Sequence, residues 1–233
     1  MEGYEYVDIF ATKGIEYIVA IIFLLMLIWF WRWINRPSAV VASQDKNLKN
    51  RVSLVDWFRL ADNYYYHQGH SWVNPDQDGL ARIGIDDFAQ KLMGRPSEIK
   101  MPAVGTRLQQ GEKGMQIKIG DKNIDFLSPV DGQVVAVNDK VLQTPELINQ
   151  DPYEQGWLFK VRSSTLNRNL KNLLKGRIAR TWIEETVNTL STKISGNYGV
   201  VLQDGGMITT GFIKEIAPEN WELVAAEFFL TRD

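Results

Sequence analysis

Cysteine is absent from all 233 residues. That absence excludes structural disulfides, thiolate metal sites and cysteine nucleophiles together, and it is compatible with a reducing compartment. Histidine is nearly absent as well: His67 and His70, three residues apart, are the only two. Two imidazoles with no cysteine and no helical Glu-x-x-His context are too few for a metal site, and no metal is expected. Neither sign of charge is in excess, with 26 basic side chains against 28 acidic ones and a net charge of −2. No global electrostatic case for a nucleic-acid partner therefore exists. The chain also lacks a Gly-x-Ser-x-Gly elbow, a phosphate-binding Gly-Lys-Ser/Thr loop and a Gly-x-Gly-x-x-Gly turn after a strand. Asp86 with Asp87, and Glu184 with Glu185, are carboxylate pairs only in sequence, and solvation at the surface is their expected state. No catalytic residue is assigned, and the chain is not expected to be an enzyme.

What is present centres on Gly111 to Gly132. Met115, Ile117 and Ile119 alternate with polar residues, as do Ile124 and Phe126, so the pattern predicts two half-buried strands joined by Gly120 to Asn123. Ser128-Pro129-Val130-Asp131-Gly132 then turns the chain into a valine-rich run from Gln133 to Asn138. A charged hairpin tip on a small barrel is the geometry that presents a modified lysine.

Six segments carry a family resemblance. They are Tyr66-His67-Gln68-Gly69-His70-Ser71-Trp72-Val73, then Ile83 to Gln90 with Leu92 and Gly94, then Pro102-Ala103-Val104-Gly105. Ser128 to Gly132, Pro145 to Tyr153 and Gly156-Trp157-Leu158 complete the set. In this order and spacing, the region from about Tyr66 to Val161 resembles the H-protein of the glycine cleavage system, a lipoyl and biotinyl carrier fold. The resemblance implies a mainly β flattened barrel or sandwich of hairpins, and a lipoylated lysine seven residues before the Ser of Ser-Pro-Val-x-Gly. Asp121 stands at that position, so the family's lipoyl lysine is missing there. Lys122 is its neighbour and the alternative acceptor, which would bring lipoate as cofactor. With the acceptor position a carboxylate, no cofactor is expected.

Ahead of this region, Ile15 to Ile34 is an apolar run with no charge between Tyr17 and Trp31. About twenty residues at ~1.5 Å each match a ~30 Å hydrocarbon layer. Tyr17 at one end and Trp29, Trp31 and Trp33 at the other form interfacial aromatic belts. A signal peptide is the competing reading, but the leading segment is acidic and no small-residue cleavage site follows. Arg32, Arg36, Lys46, Lys49 and Arg51 after the run, against Lys13 before it, place the remainder on the cytoplasmic side of an inner membrane with the N-terminus outside. Pro37 ends the helix, and Val52 to Tyr66 is spaced for an amphipathic helix.

Beyond Val161, a helix is expected from about Leu166 to Ile194, capped by Ser163 or Ser164 and weakened at Gly176. Its apolar stripe packs on the domain, and its basic first half is open to an anionic lipid surface. Three strands follow: Gly199 to Gln203, Met207 to Glu215 and Trp221 to Leu230. The expected organisation is 1–36 as N-terminal segment and transmembrane helix, and 37–65 as linker and amphipathic helix. Residues 66–162 form the H-protein-like domain, and 163–233 a long helix plus a small antiparallel sheet, an α+β extension. The functional expectation is a non-catalytic, membrane-anchored accessory subunit of a larger inner-membrane complex of respiratory or electron-transfer type. Its partners would be the lipid bilayer and other protein subunits. The alternative is a lipoylated carrier that uses Lys122 to shuttle acyl, aminomethyl or electron equivalents between enzymes.

Overall fold

A computed structural model of the chain describes residues 13–34, 55–76, 79–197 and 210–232. By its internal contacts the chain divides between Lys49 and Asn50. In the first unit, Lys13–Ile34 forms the helix α1. The side chains described along it from Tyr17 to Trp33 are exposed. Among the described residues, no helix is long and apolar enough to cross a membrane. The stretch from Tyr17 to Trp33 rises only about 25 Å, short of a ~30 Å layer.

The second unit is built on two antiparallel sheets. Strands β1 (Tyr65–Tyr66), β2 (Ser71–Pro75), β3 (Leu80–Ile85), β9 (Phe159–Arg162), β8 (Gly132–Val137) and β5 (Arg107–Leu108) lie side by side in that order. The smaller sheet is β4 (Glu98–Lys100), β6 (Lys113–Ile119) and β7 (Lys122–Leu127). Period-two patterning decides which face is inside. Met115, Ile117 and Ile119 on β6 and Ile124 and Phe126 on β7 are buried, while Gln116 and Lys118 point outward. Ile117 lies opposite Ile124 and Met115 opposite Phe126, so cross-strand pairs stack on the core face. The expected mainly β domain is therefore present.

The domain's opening motif fixes the larger sheet. Trp72 is fully buried, donates its indole N–H to the Ile85 carbonyl at 2.8 Å, and lies directly across from Gly84 in the β2–β3 register. A Cβ at Gly84 would collide with the Trp72 ring. Gly84→Ala is expected to cost at least about 1–3 kcal/mol, because the fully packed indole has nowhere to move. A thermal melt showing an unchanged midpoint would contradict this.

Three sequence expectations change. Only Val55 to Trp57 of the expected helix at Val52–Tyr66 is helical, and Tyr65–Tyr66 is a strand; Val52 to Leu54 lie outside the described residues. The backbone groups a helix would use internally are taken by tertiary partners. Lys91 Nζ donates to the Trp57 carbonyl, and the Arg59 N–H donates to Asp87 Oδ2 at 2.7 Å. The long helix at Leu166–Ile194 is broken into α5 (Leu166–Leu170) and α6 (Arg177–Asn197). Between them Leu174 exchanges both backbone hydrogen bonds with Tyr66 at 2.8 Å, and Gly176 adopts φ +57°. A residue bound to a strand edge cannot also complete a helical turn.

The final sheet is replaced by helices: α7 (Ile213–Ile216) and α8 (Trp221–Phe228). The expected strand at Gly199–Gln203 lies outside the described residues, as does the first part of Met207–Glu215. In α8 the buried residues Trp221, Ala225 and Phe228 recur at four and three residues, while Leu223 is exposed. That is a helical stripe hidden within a nearly continuous apolar run. Among the described residues, the C-terminal part of the fold is helical. Three further short helices are α2 (Asp87–Met93), α3 (Asp139–Gln143) and α4 (Leu147–Gln150).

Candidate functional site

The β6–β7 hairpin closes with a two-residue turn, Gly120–Asp121, so that Ile119 and Lys122 are cross-strand partners. Gly120 has φ +64°, the positive value required at the first turn position of a type II′ hairpin. The turn is thus shorter than the expected Gly120 to Asn123. Asp121 is exposed on it, and Lys122 is the first residue of β7 rather than a turn residue.

Lys122 Nζ donates to Glu222 Oε1 at 2.8 Å, and the two side chains are 42% and 25% exposed. The hydrogen bond that Lys122 donates to Glu222, with the carboxylate's charge, raises the lysine above its ordinary range, and the same bond lowers the Glu222 carboxyl. The second carboxylate oxygen, Oε2, is buried with no hydrogen-bond partner among the described residues. Sequence reasoning missed Glu222. It lies 100 residues from Lys122, in a segment whose apolar run reads as strand, so no local pattern points to it.

The motif residues form a second cluster behind the hairpin. His70 Nδ1 lies 2.8 Å from Asp86 Oδ2, and both residues are almost completely buried. Asp86 Oδ1 also accepts the Ala89 N–H at 2.8 Å, capping α2. The expectation of solvated carboxylates is therefore wrong for this pair. Asp86 is consumed by the imidazole and the helix cap, and Asp87 by Lys91 Nζ at 2.7 Å, the Arg59 N–H and Gln90 Nε2. The His70 ring stacks on Phe88 with centroids 4.3 Å apart and meets Trp182 of α6 at 4.7 Å. Phe229 contacts the rings of both His70 and Phe126, at 5.8 and 4.4 Å, and so links the motif to β7. No group of three or more His, Cys, Asp or Glu side chains is placed to hold a metal among the described residues.

His67 is partly buried, and its Nδ1 accepts the Gly69 N–H at 3.0 Å. Burial lowers its pKa, with a smaller push from His70. The folded state then binds fewer protons than the unfolded one as pH drops through about 6.5, so this contribution to stability is complete above that value. It is lost on acidification toward the depressed folded value. The expected result is a melting temperature that falls as the pH drops below about 6.5, with a smaller fall for His67→Gln. Equal pH slopes in the two proteins would refute the assignment.

The model of the glycine cleavage H-protein family matches residues 64–186. The glycine cleavage system H protein of Hydrogenovibrio crunogenus is 39% identical over 108 residues, covering 46% of this chain and 84% of its own length. The probable glycine cleavage system H protein of Thermococcus gammatolerans is 32% identical over 130 residues, covering 56% of this chain and 96% of that protein. A crystal structure of a glycine cleavage system H protein from Mycobacterium marinum covers 45% of this chain and 87% of its own, at 29% identity and a TM-score of 0.43. The family match and the named relatives overturn the expectation of a non-catalytic accessory subunit of a respiratory or electron-transfer complex. Relatives that this chain matches over most of their length bear the name of the H protein itself. The expectation of no cofactor loses its support with it.

Proposed function

The chain belongs to the glycine cleavage H-protein family, and from that premise we propose that it is a lipoyl carrier whose acceptor is Lys122. The carrying observation is the position of this lysine. It is the first strand residue after the Gly120–Asp121 turn, half exposed, on a hairpin whose other face is locked into the core. The acceptor is displaced by one residue from the position implied by the family motif, which Asp121 occupies. The lipoyl group would supply the transfer chemistry. The chain's own residues hold the amine at a fixed place, and the chain itself is not a catalyst. Its partners in this reading are the enzymes that load and unload the group.

The test is the intact mass of the full chain produced together with a lipoyl-attaching enzyme, followed by peptide mapping. A gain of one lipoyl amide on Lys122 is the expected result. An unmodified mass, or modification elsewhere, would overturn the assignment.

We further propose that α1 anchors the carrier to a membrane, with the second unit on the cytoplasmic side. What supports this reading is the composition of α1: the side chains from Tyr17 to Trp33 are apolar except Arg32, with Tyr17 at one end and Trp29, Trp31 and Trp33 at the other as interfacial aromatics. Alkaline carbonate washing of membranes from producing cells should leave the full chain in the pellet. Release into the supernatant would remove this part of the proposal.

A further inference from the structure

We propose that α8 is a latch on the acceptor lysine: Glu222 holds the Lys122 ammonium against the hairpin, and acylation of that amine releases the start of the helix. This rests on the reading of Lys122 as acceptor. The pair is notable for where its members lie. Lys122 falls inside the residues matched by the family model, whereas α8 begins at Trp221, beyond their end at 186. The ion pair therefore ties the shared domain to a segment outside it.

The latch has an apolar hinge side and a polar free side. Trp221, Ala225, Phe228 and Phe229 are buried; Phe228 meets Phe88 at 5.5 Å and Phe229 meets Phe126 at 4.4 Å. Those contacts seat the helix across β7. Glu222 stands in the first turn of α8, where a carboxylate is favoured by the helix dipole. Its Oε1 faces Lys122, while its Oε2 is enclosed without a hydrogen-bond partner among the described residues.

Amide formation needs the neutral amine. The lysine nitrogen attacks the carboxyl carbon of an activated acyl donor of the acyl-adenylate class. The N–C bond forms, the bond from that carbon to the phosphate oxygen breaks, the phosphate monoester leaves with the electron pair, and one proton passes from nitrogen to water. Pairing with Glu222 favours the ammonium and so opposes the first step. The amide product carries no charge. Glu222 then retains an enclosed carboxylate with its cation gone, and the first turn of α8 loses its polar attachment. By linkage, a helix that hinders acylation is loosened by it.

The experiment is competitive acetylation of the full chain by acetic anhydride at fixed pH, read lysine by lysine by mass spectrometry. Exposed Lys140 serves as internal reference, and Leu223→Ala, an exposed position on the same helix, as control. In the wild-type chain Lys122 should react more slowly than Lys140, by a factor of up to about five as befits a partly exposed pair. Glu222→Gln should close that gap, and Leu223→Ala should leave it unchanged. Hydrogen exchange over residues 221–229 should speed up once Lys122 is acetylated. Equal rates at Lys122 and Lys140, no response to Glu222→Gln, or unchanged exchange after acetylation would each overturn the latch. The reagent requires no lipoyl enzyme, so a protected Lys122 that never gains lipoate would sink the carrier reading and leave the latch standing.

Discussion

Exchanging Lys122 for arginine should leave the chain with no lipoyl mass gain at all, while the fold and the contact with Glu222 persist. The substitution separates two properties that lysine combines. A guanidinium keeps the positive charge and can still donate to the Glu222 carboxylate, but it stays protonated and offers no neutral amine to an activated acyl group. The loss is expected to be complete, because amide formation has no partial version. Lys118 is a neighbouring control, 40% exposed and 3.9 Å from Glu98 on the same hairpin. If Lys122→Arg still gained the lipoyl mass at Lys118 or elsewhere, the site would be misassigned. An unchanged melting temperature for the variant would show that the effect is chemical and not structural.

The second large effect is expected at Asp86. Replacing it by alanine should destabilise the domain by about 3 kcal/mol, since a buried carboxyl group that serves the imidazole and a helix cap together is removed. Three losses coincide there. His70 Nδ1 loses its partner at 2.8 Å inside an aromatic enclosure of Phe88, Trp182 and Phe229. The helix α2 loses the oxygen that caps the Ala89 N–H, typically about 1 kcal/mol. A cavity is also left where both residues are almost wholly buried. Asp86→Asn keeps an oxygen for the cap and a polar group for the imidazole, so it should lose distinctly less. Denaturant titration of both variants decides the matter; a loss below about 1 kcal/mol for Asp86→Ala would mean that the pair contributes little to holding the domain.

Much of the H-protein domain was legible because its signals are local. The alternation of Met115, Ile117 and Ile119, and of Ile124 and Phe126, specifies which face of each strand is buried. Turn chemistry at Gly120 and at Ser128–Gly132 sets where strands end, and the ordered motif segments point to one family. The hairpin tip was misjudged by two residues, since Asn123 and Lys122 are polar whether they lie in a turn or at the start of a strand.

The remainder depended on partners distant in the chain. Asp86 and Asp87 carry no local mark that distinguishes buried from solvated carboxylates; their state is set by His70, Lys91 and the backbone at Trp57 and Arg59. The break between α5 and α6 is set by Tyr66, whose strand edge claims Leu174. In α8, a continuous apolar run is compatible with strand or helix, and packing against Phe88 and Phe126 selects the helix. By itself, then, the sequence determined the two strands of the hairpin and the family, because periodicity and turn residues act over a few positions. Tertiary structure alone decided that Glu222 reaches Lys122, because a contact spanning 100 residues arises only when the whole domain has closed.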